Sequence, residues 1–145
     1  GETCPTMLNY AVHAKAGSLY NTPPVVAIYM ACLVTRWLKK EGGVAEMDRR
    51  ARERSSLIYD VIDKSSGFYI NRIALEARSR MNVVFHLAED ALTDLFVKEA
   101  ADAGLVNLKG HRLAGGIRAS MYNALPMEGA VALATFMKVF AARHG

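Results

Sequence analysis

Apolar residues recur along this chain with two periods, and the switches between them divide it into elements. Near the start, Leu8, Tyr10 and Val12 alternate as a short strand would. Asn21-Thr22-Pro23-Pro24 then signals a helix start, because Asn or Thr can cap free amides and proline is pre-shaped for a first turn. The run from Val25 to Val34 reads as a buried helix that continues to about Lys40, where Gly42-Gly43 breaks it. A second helix carries Val44, Met47, Ala51, Ile58, Val61 and Ile62 at helical spacing, with Arg49, Arg50, Arg52, Glu53 and Arg54 on its other, solvated face. It ends near Ser65-Ser66-Gly67.

Strand signals follow at Phe68-Tyr69-Ile70 and, after a loop, at Met81 to Leu87. Beyond Glu89-Asp90, the stripe Leu92, Leu95, Phe96, Ala100 and Ala103 predicts a helix, with Gly104 as its C-terminal cap and Leu105 closing the hydrophobic contact. Two further strands are expected, the second over Ile117 to Tyr122, where Ile117, Ala119 and Met121 share one face and Arg118, Ser120 and Tyr122 the other. Pro126 and Glu128 open a last helix whose stripe is Ala130, Leu133, Ala134, Met137 and Phe140, and Arg143-His144 suit its negative end. The order is therefore α-α-β-β-α-β-β-α. It predicts an α/β fold of two-layer, α+β-like character: a small, mainly antiparallel or mixed sheet of about four strands with helices on one face, preceded by two helices.

Composition narrows what such a fold does. The 145 residues are 52% hydrophobic, enough for one ordered domain with a sizeable core. A net charge of +4 comes from basic and acidic residues that are interspersed, so nucleic acid is not an expected partner. Val25 to Val34 is too short to span a bilayer, and no signal-peptide pattern opens the chain. Cys4 and Cys32 form neither a disulfide framework nor a zinc spacing, which fits a reducing, cytoplasmic setting without a metal. The first residue is not methionine, as expected of a piece of a longer protein.

The chemistry-bearing stretch is Leu108 to Asn123. It sets His111 and Arg112 beside Gly115-Gly116 and ahead of a strand that fixes the direction of Arg118. Arginine presents a planar fork of donors matched to carboxylate or phosphate, and the glycines let backbone approach a ligand. A basic turn with a flexible hinge explains the same residues without a ligand. Asn21 and Thr22 stand at a helix start, a place that can hold phosphate, but Pro23 and Pro24 remove two backbone donors there, so the side chains would do the holding. His13 reads as a surface or hydrogen-bonded residue and His86 as a satisfied strand histidine.

Several motifs read together are more specific. Ser18-Leu19-Tyr20-Asn21-Thr22-Pro23-Pro24, Gly42-Gly43-Val44-Ala45, Ser79-Arg80-Met81-Asn82-Val83, Leu108-Lys109-Gly110-His111-Arg112 and Gly115-Gly116-Ile117-Arg118-Ala119-Ser120-Met121-Tyr122-Asn123 resemble the C-terminal part of the phosphoserine aminotransferase family, over the whole chain. The resemblance implies a pyridoxal-phosphate transaminase of serine biosynthesis, homodimeric, that exchanges an amino group between glutamate and 3-phosphohydroxypyruvate. It implies that residues 1-40 end a large cofactor-binding domain and that 41-145 form the small domain. By position, Arg118 resembles the residue that clasps the substrate α-carboxylate, His111 and Arg112 those that bind its phosphate, and Asn21 and Thr22 the pair that reaches the cofactor phosphate in the neighbouring subunit. Val84 departs from the family's usual proline and Leu113-Ala114 from its usual Ser-Val. The lysine that holds the cofactor is expected upstream, so no catalytic residue is expected here and the isolated chain is expected to be inactive. Two other readings share the same anchors: a non-catalytic anion-binding or dimerisation module, and an aminotransferase for another phosphorylated substrate such as phosphohydroxythreonine.

Overall fold

The computed structural model describes residues 4–145. The chain forms two compact units, one ending at Gly43 and the other spanning Val44–Gly145.

In the first unit the alternation of Leu8, Tyr10 and Val12 makes no strand. A single 3-10 turn, Thr6–Leu8, leads into helix α1, Tyr10–Lys15. The Asn9 side chain accepts from the Ala11 N–H at 3.0 Å, and this local cap decides the segment where three alternating residues have no partner strand. His13 bonds the Met7 carbonyl at 2.8 Å through its ring nitrogen. Helix α2 is Val25–Lys40, as its apolar run predicts, but its first residue falls after both prolines. Pro24 is the N-cap and no side chain caps the helix, so Asn21 and Thr22 lie too far ahead to serve the free amides. Nor is α2 buried: Val26 is 76% exposed, and Val25, Ile28, Tyr29, Met30 and Val34 are open too. The run is apolar on every side, and the described residues cover none of its members fully.

The second unit contains the core. Helix α3, Gly43–Asp63, opens at the two glycines with positive φ and buries Met47, Ala51, Ile58, Val61 and Ile62, while Val44 stays outside. On its polar side, Glu46, Asp48 and Glu53 pair with Arg49, Arg50 and Arg52 at spacings of three and four residues. The Arg49 and Arg50 guanidiniums hold the Glu46 carboxyl down at about 2. Arg54 is not part of that solvated face. It is 2% exposed, and Nη1 donates to the Leu125 carbonyl at 2.7 Å. At helical spacing Arg54 follows Met47 and Ala51 onto the buried stripe, and only the length of its stem lets the charge reach a carbonyl there.

Strands β1 (Tyr69–Ile70), β2 (Asn82–Leu87) and β3 (Ile117–Ser120) form an antiparallel sheet in that order, with β2 in the middle. Val83, Phe85 and Leu87 alternate into the core with Ile117 and Ala119 of β3, and Val84 opposes Arg118 on the other face. The expected fourth strand is reduced to one bridge, Lys109 to Ile117, because Asn107 takes the left-handed conformation (φ 62°) and ends any extension before it. Helix α4, Leu92–Asp102, closes at Gly104: the Gly104 N–H donates to Ala101 and the Leu105 N–H to Ala100, and Leu105 packs on the core. Helix α5, Met127–His144, buries the five predicted stripe residues, and its Arg143 reaches Glu99 of α4 at 2.6 Å.

Phe96 is the hub of the layer between sheet and helices. It is fully buried and meets Tyr69, Phe85, Phe136 and Phe140 edge to face at 5.0–6.1 Å between centroids. The Tyr69 hydroxyl donates to the Met137 carbonyl at 2.8 Å, and burial pushes its pKa well up. With one face of the sheet filled in this way, the polar residues of β2 and β3 are delivered to the opposite face.

Candidate functional site

That opposite face presents Asn82, Val84 and His86 from β2 and Arg118 and Ser120 from β3. Arg118 stands where its strand's alternation predicts. Its backbone is held on both sides, by pairing with Val84 and by an N–H that donates to the Leu108 carbonyl at 2.8 Å. Its Nε is buried and makes no hydrogen bond. An unpaired buried guanidinium donor costs free energy unless an acceptor meets it.

Beside it, Asn82 Oδ1 accepts from the Ser120 hydroxyl at 3.0 Å and the Tyr122 hydroxyl at 3.4 Å. Tyr122 is otherwise exposed. Asn82 was not singled out by motif reasoning. Its place two residues before Val84 was the available signal, since it puts Asn82 on the arginine's face.

His111 and Arg112 sit on an exposed turn that springs from the start of β3. The His111 carbonyl accepts from the N–H groups of Ala114 (2.9 Å) and Gly115 (2.8 Å), and its Nδ1 accepts from the Leu113 N–H at 3.3 Å. At the base, the Gly110 N–H donates to the Gly116 carbonyl at 2.8 Å. Glycine is required here. A Cβ on Gly110 would collide with the Gly115 carbonyl, and Gly115 and Gly116 take φ of 68° and 65°. The ring of His86 lies against Gly116, where a Cβ would come within 2.8 Å of its Nδ1. His111 and Arg112 thus lie on the exposed turn and Arg118 on the strand that follows it.

Asn21 and Thr22 belong to the other unit and are exposed. Asn21 Nδ2 points at the Met7 sulfur at 3.5 Å, a weak partner. Neither side chain caps helix α2. Among the described residues no cluster of His, Cys, Asp and Glu suits a metal ion, and no helix is long and apolar enough to cross a membrane.

The sequence model of the aminotransferase class-V family matches residues 1–133. The chain belongs to the class-V aminotransferases. Within that family it is similar to phosphoserine aminotransferases. It is 55% identical to the one from Laribacter hongkongensis over 141 residues, which are 97% of this chain and 39% of that protein, and 53% identical to the one from Chromobacterium violaceum over the same shares. It superposes with a TM-score of 0.90 and 46% identity on the phosphoserine aminotransferase of Bacillus circulans subsp. alkalophilus, covering 100% of this chain and 40% of that one. The pyridoxal-phosphate-bound enzyme from Trichomonas vaginalis gives 0.82 and 39% identity, covering 95% and 39%. The chain therefore spans about two fifths of the length of the relatives it matches.

Proposed function

We propose that this chain is the substrate-recognising part of a phosphoserine aminotransferase, which transfers an amino group between glutamate and 3-phosphohydroxypyruvate in the cytoplasm as a homodimer. The observation that carries the reading is Arg118: a cation fixed on the open face of the sheet, with a buried and unpaired Nε, a few residues from the basic turn of His111 and Arg112. A substrate with a carboxylate at one end and a phosphate at the other needs two such anchors held apart. Arg118 takes the α-carboxylate with its fork. His111 and Arg112 take the phosphate. Asn82 holds Ser120 and Tyr122 at the edge of the carboxylate site. The two free cysteines, Cys4 and Cys32, are compatible with a reducing compartment.

Pyridoxal phosphate, when bound, supplies the electron sink for transamination. Of the residues present, Asn21 and Thr22 fit only its phosphate, as exposed amide and hydroxyl donors not engaged in capping the helix behind them. Lys109, the lysine of the anion turn, reaches toward Asp94 at 3.4 Å on the surface and has no part in the anchor set. The reaction is accordingly assigned to the intact protein, and turnover by purified 145-residue chain would overturn that division of labour.

The direct test is calorimetric titration of phosphoserine into the full-length protein. Arg118→Ala should weaken binding by about 2 to 5 kcal/mol, since a desolvated carboxylate loses its charge-assisted partner. Unchanged affinity would remove Arg118 from the site and the proposal with it.

A further inference from the structure

His86 has no part in the anchors just assigned, yet its ring is seated at the base of the anion turn. β2 is the middle strand, so the histidine's backbone is registered on one side with Ile70 of β1, and its neighbour Phe85 is registered on the other with Ile117 of β3. His86 is therefore carried by the best-braced strand of the sheet, on the same face as Arg118. A Cβ built on Gly116 would stand 2.8 Å from His86 Nδ1, 2.9 Å from Cε1 and 2.7 Å from the Phe85 carbonyl oxygen. The imidazole edge fills the space that a side chain at position 116 would occupy. Gly116 in turn shuts the turn through the bond from the Gly110 N–H to its carbonyl, 2.8 Å long.

We propose that His86 is a positioning residue for the anion turn: by bracing Gly116 it sets where His111 and Arg112 stand, and so governs recognition of the phosphate end of the substrate and not of the carboxylate end. The inference rests on the proposed assignment of phosphate to His111 and Arg112 and of carboxylate to Arg118. Arg118 is secured independently, by Val84 and by the Leu108 carbonyl. Loss of the His86 ring loosens one anchor and leaves the other in place. No proton transfer is asked of the imidazole. Its role is shape, and a planar side chain of similar reach can substitute in part.

Two truncated ligands separate the anchors. O-Phosphoethanolamine keeps the phosphate and lacks the carboxylate, while L-alanine keeps the carboxylate and has no distal anion. Each is titrated calorimetrically into the full-length holoenzyme and into its His86→Ala, His86→Gln and Arg118→Ala variants. His86→Ala should weaken O-phosphoethanolamine at least fivefold and leave L-alanine within twofold, and His86→Gln should recover a good part of the loss. Both ligands unchanged, or both weakened together as a general loss of structure would do, overturns the role of His86. Arg118→Ala should show the opposite pattern. If it spares both ligands, the functional reading itself fails; if it behaves as expected while His86→Ala does not, only the present inference falls.

Discussion

Arg54 is a buried cation with one good hydrogen bond, and replacing it in two ways separates the value of its charge from that of its stem. Nη1 donates to the Leu125 carbonyl at 2.7 Å and lies 3.5 Å from that of Asn123, whereas Nε and Nη2 are buried without partners. Burial, and secondarily the charge of Arg50, lowers its pKa, but an arginine stays protonated at neutral pH. A charge-assisted bond is worth roughly 1.5 to 3 kcal/mol, and each unsatisfied nitrogen costs about 1 to 3. The two nitrogens together cost about 2 to 6 kcal/mol, which offsets or exceeds the bond. Arg54→Met keeps an apolar stem of similar reach and should therefore lower stability by no more than about 1 kcal/mol. Arg54→Ala also removes two methylenes, Cγ and Cδ, at about 0.8 kcal/mol each, and leaves a void, so it should cost about 2 to 4 kcal/mol. For a unit of roughly 100 residues that is a fall in Tm of about 10 to 20 °C, against less than about 8 °C for the methionine variant. Thermal and urea melts followed by circular dichroism measure both. If methionine proves as damaging as alanine, the charge itself is indispensable and the unpaired nitrogens do not offset the bond.

Gly110→Ala should spring the anion turn, because its Cβ meets the Gly115 carbonyl and stands 2.7 Å from that of Gly116; amide exchange at residues 111–115 should quicken while the α5 amides keep their protection. Asp63 is held below its ordinary pKa of 3.8 by the two hydrogen bonds from Arg78, so the pair stabilises the fold above that pH and stops doing so as pH falls through the lower folded value. Asp63→Asn should consequently lower stability at neutral pH, by under about 1 kcal/mol because the carboxylate is half exposed, and the gap in Tm from wild type should close in strong acid. Tyr69→Phe removes the bond to the Met137 carbonyl and should lower stability by about 1 kcal/mol, read as a lower urea midpoint with an unchanged slope.

What could be read in the sequence was whatever local periodicity decides. The α5 stripe from Ala130 to Phe140, the Gly104 cap with Leu105 behind it, and the outward direction of Arg118 each follow from spacing within one element, and each is found in place. The failures share a different cause. Asn9 outcompeted an alternation too short to recruit a partner, and the left-handed Asn107 cut a strand to one bridge. Arg54 counted as polar by residue type, but a long apolar stem under a charged tip lets it lie on the buried stripe. Of the candidate site, the anion turn and Arg118 were visible because glycines and arginines mark them. Asn82 and the His86–Gly116 contact were hidden because they join residues 38 and 30 positions apart, which no window along the chain contains.

The distribution of aromatic residues makes the two units spectroscopically distinct. The chain's one tryptophan, Trp37, belongs to α2 in the first unit, whereas all five phenylalanines lie in the second, four of them with Tyr69 in the edge-to-face cluster around Phe96. Tryptophan emission therefore follows one body, and the phenylalanine fine structure of the near-ultraviolet dichroism follows the other. Unfolding curves from the two signals, overlaid on a single sample, would reveal whether the bodies melt as one cooperative system or in succession, without any label being introduced.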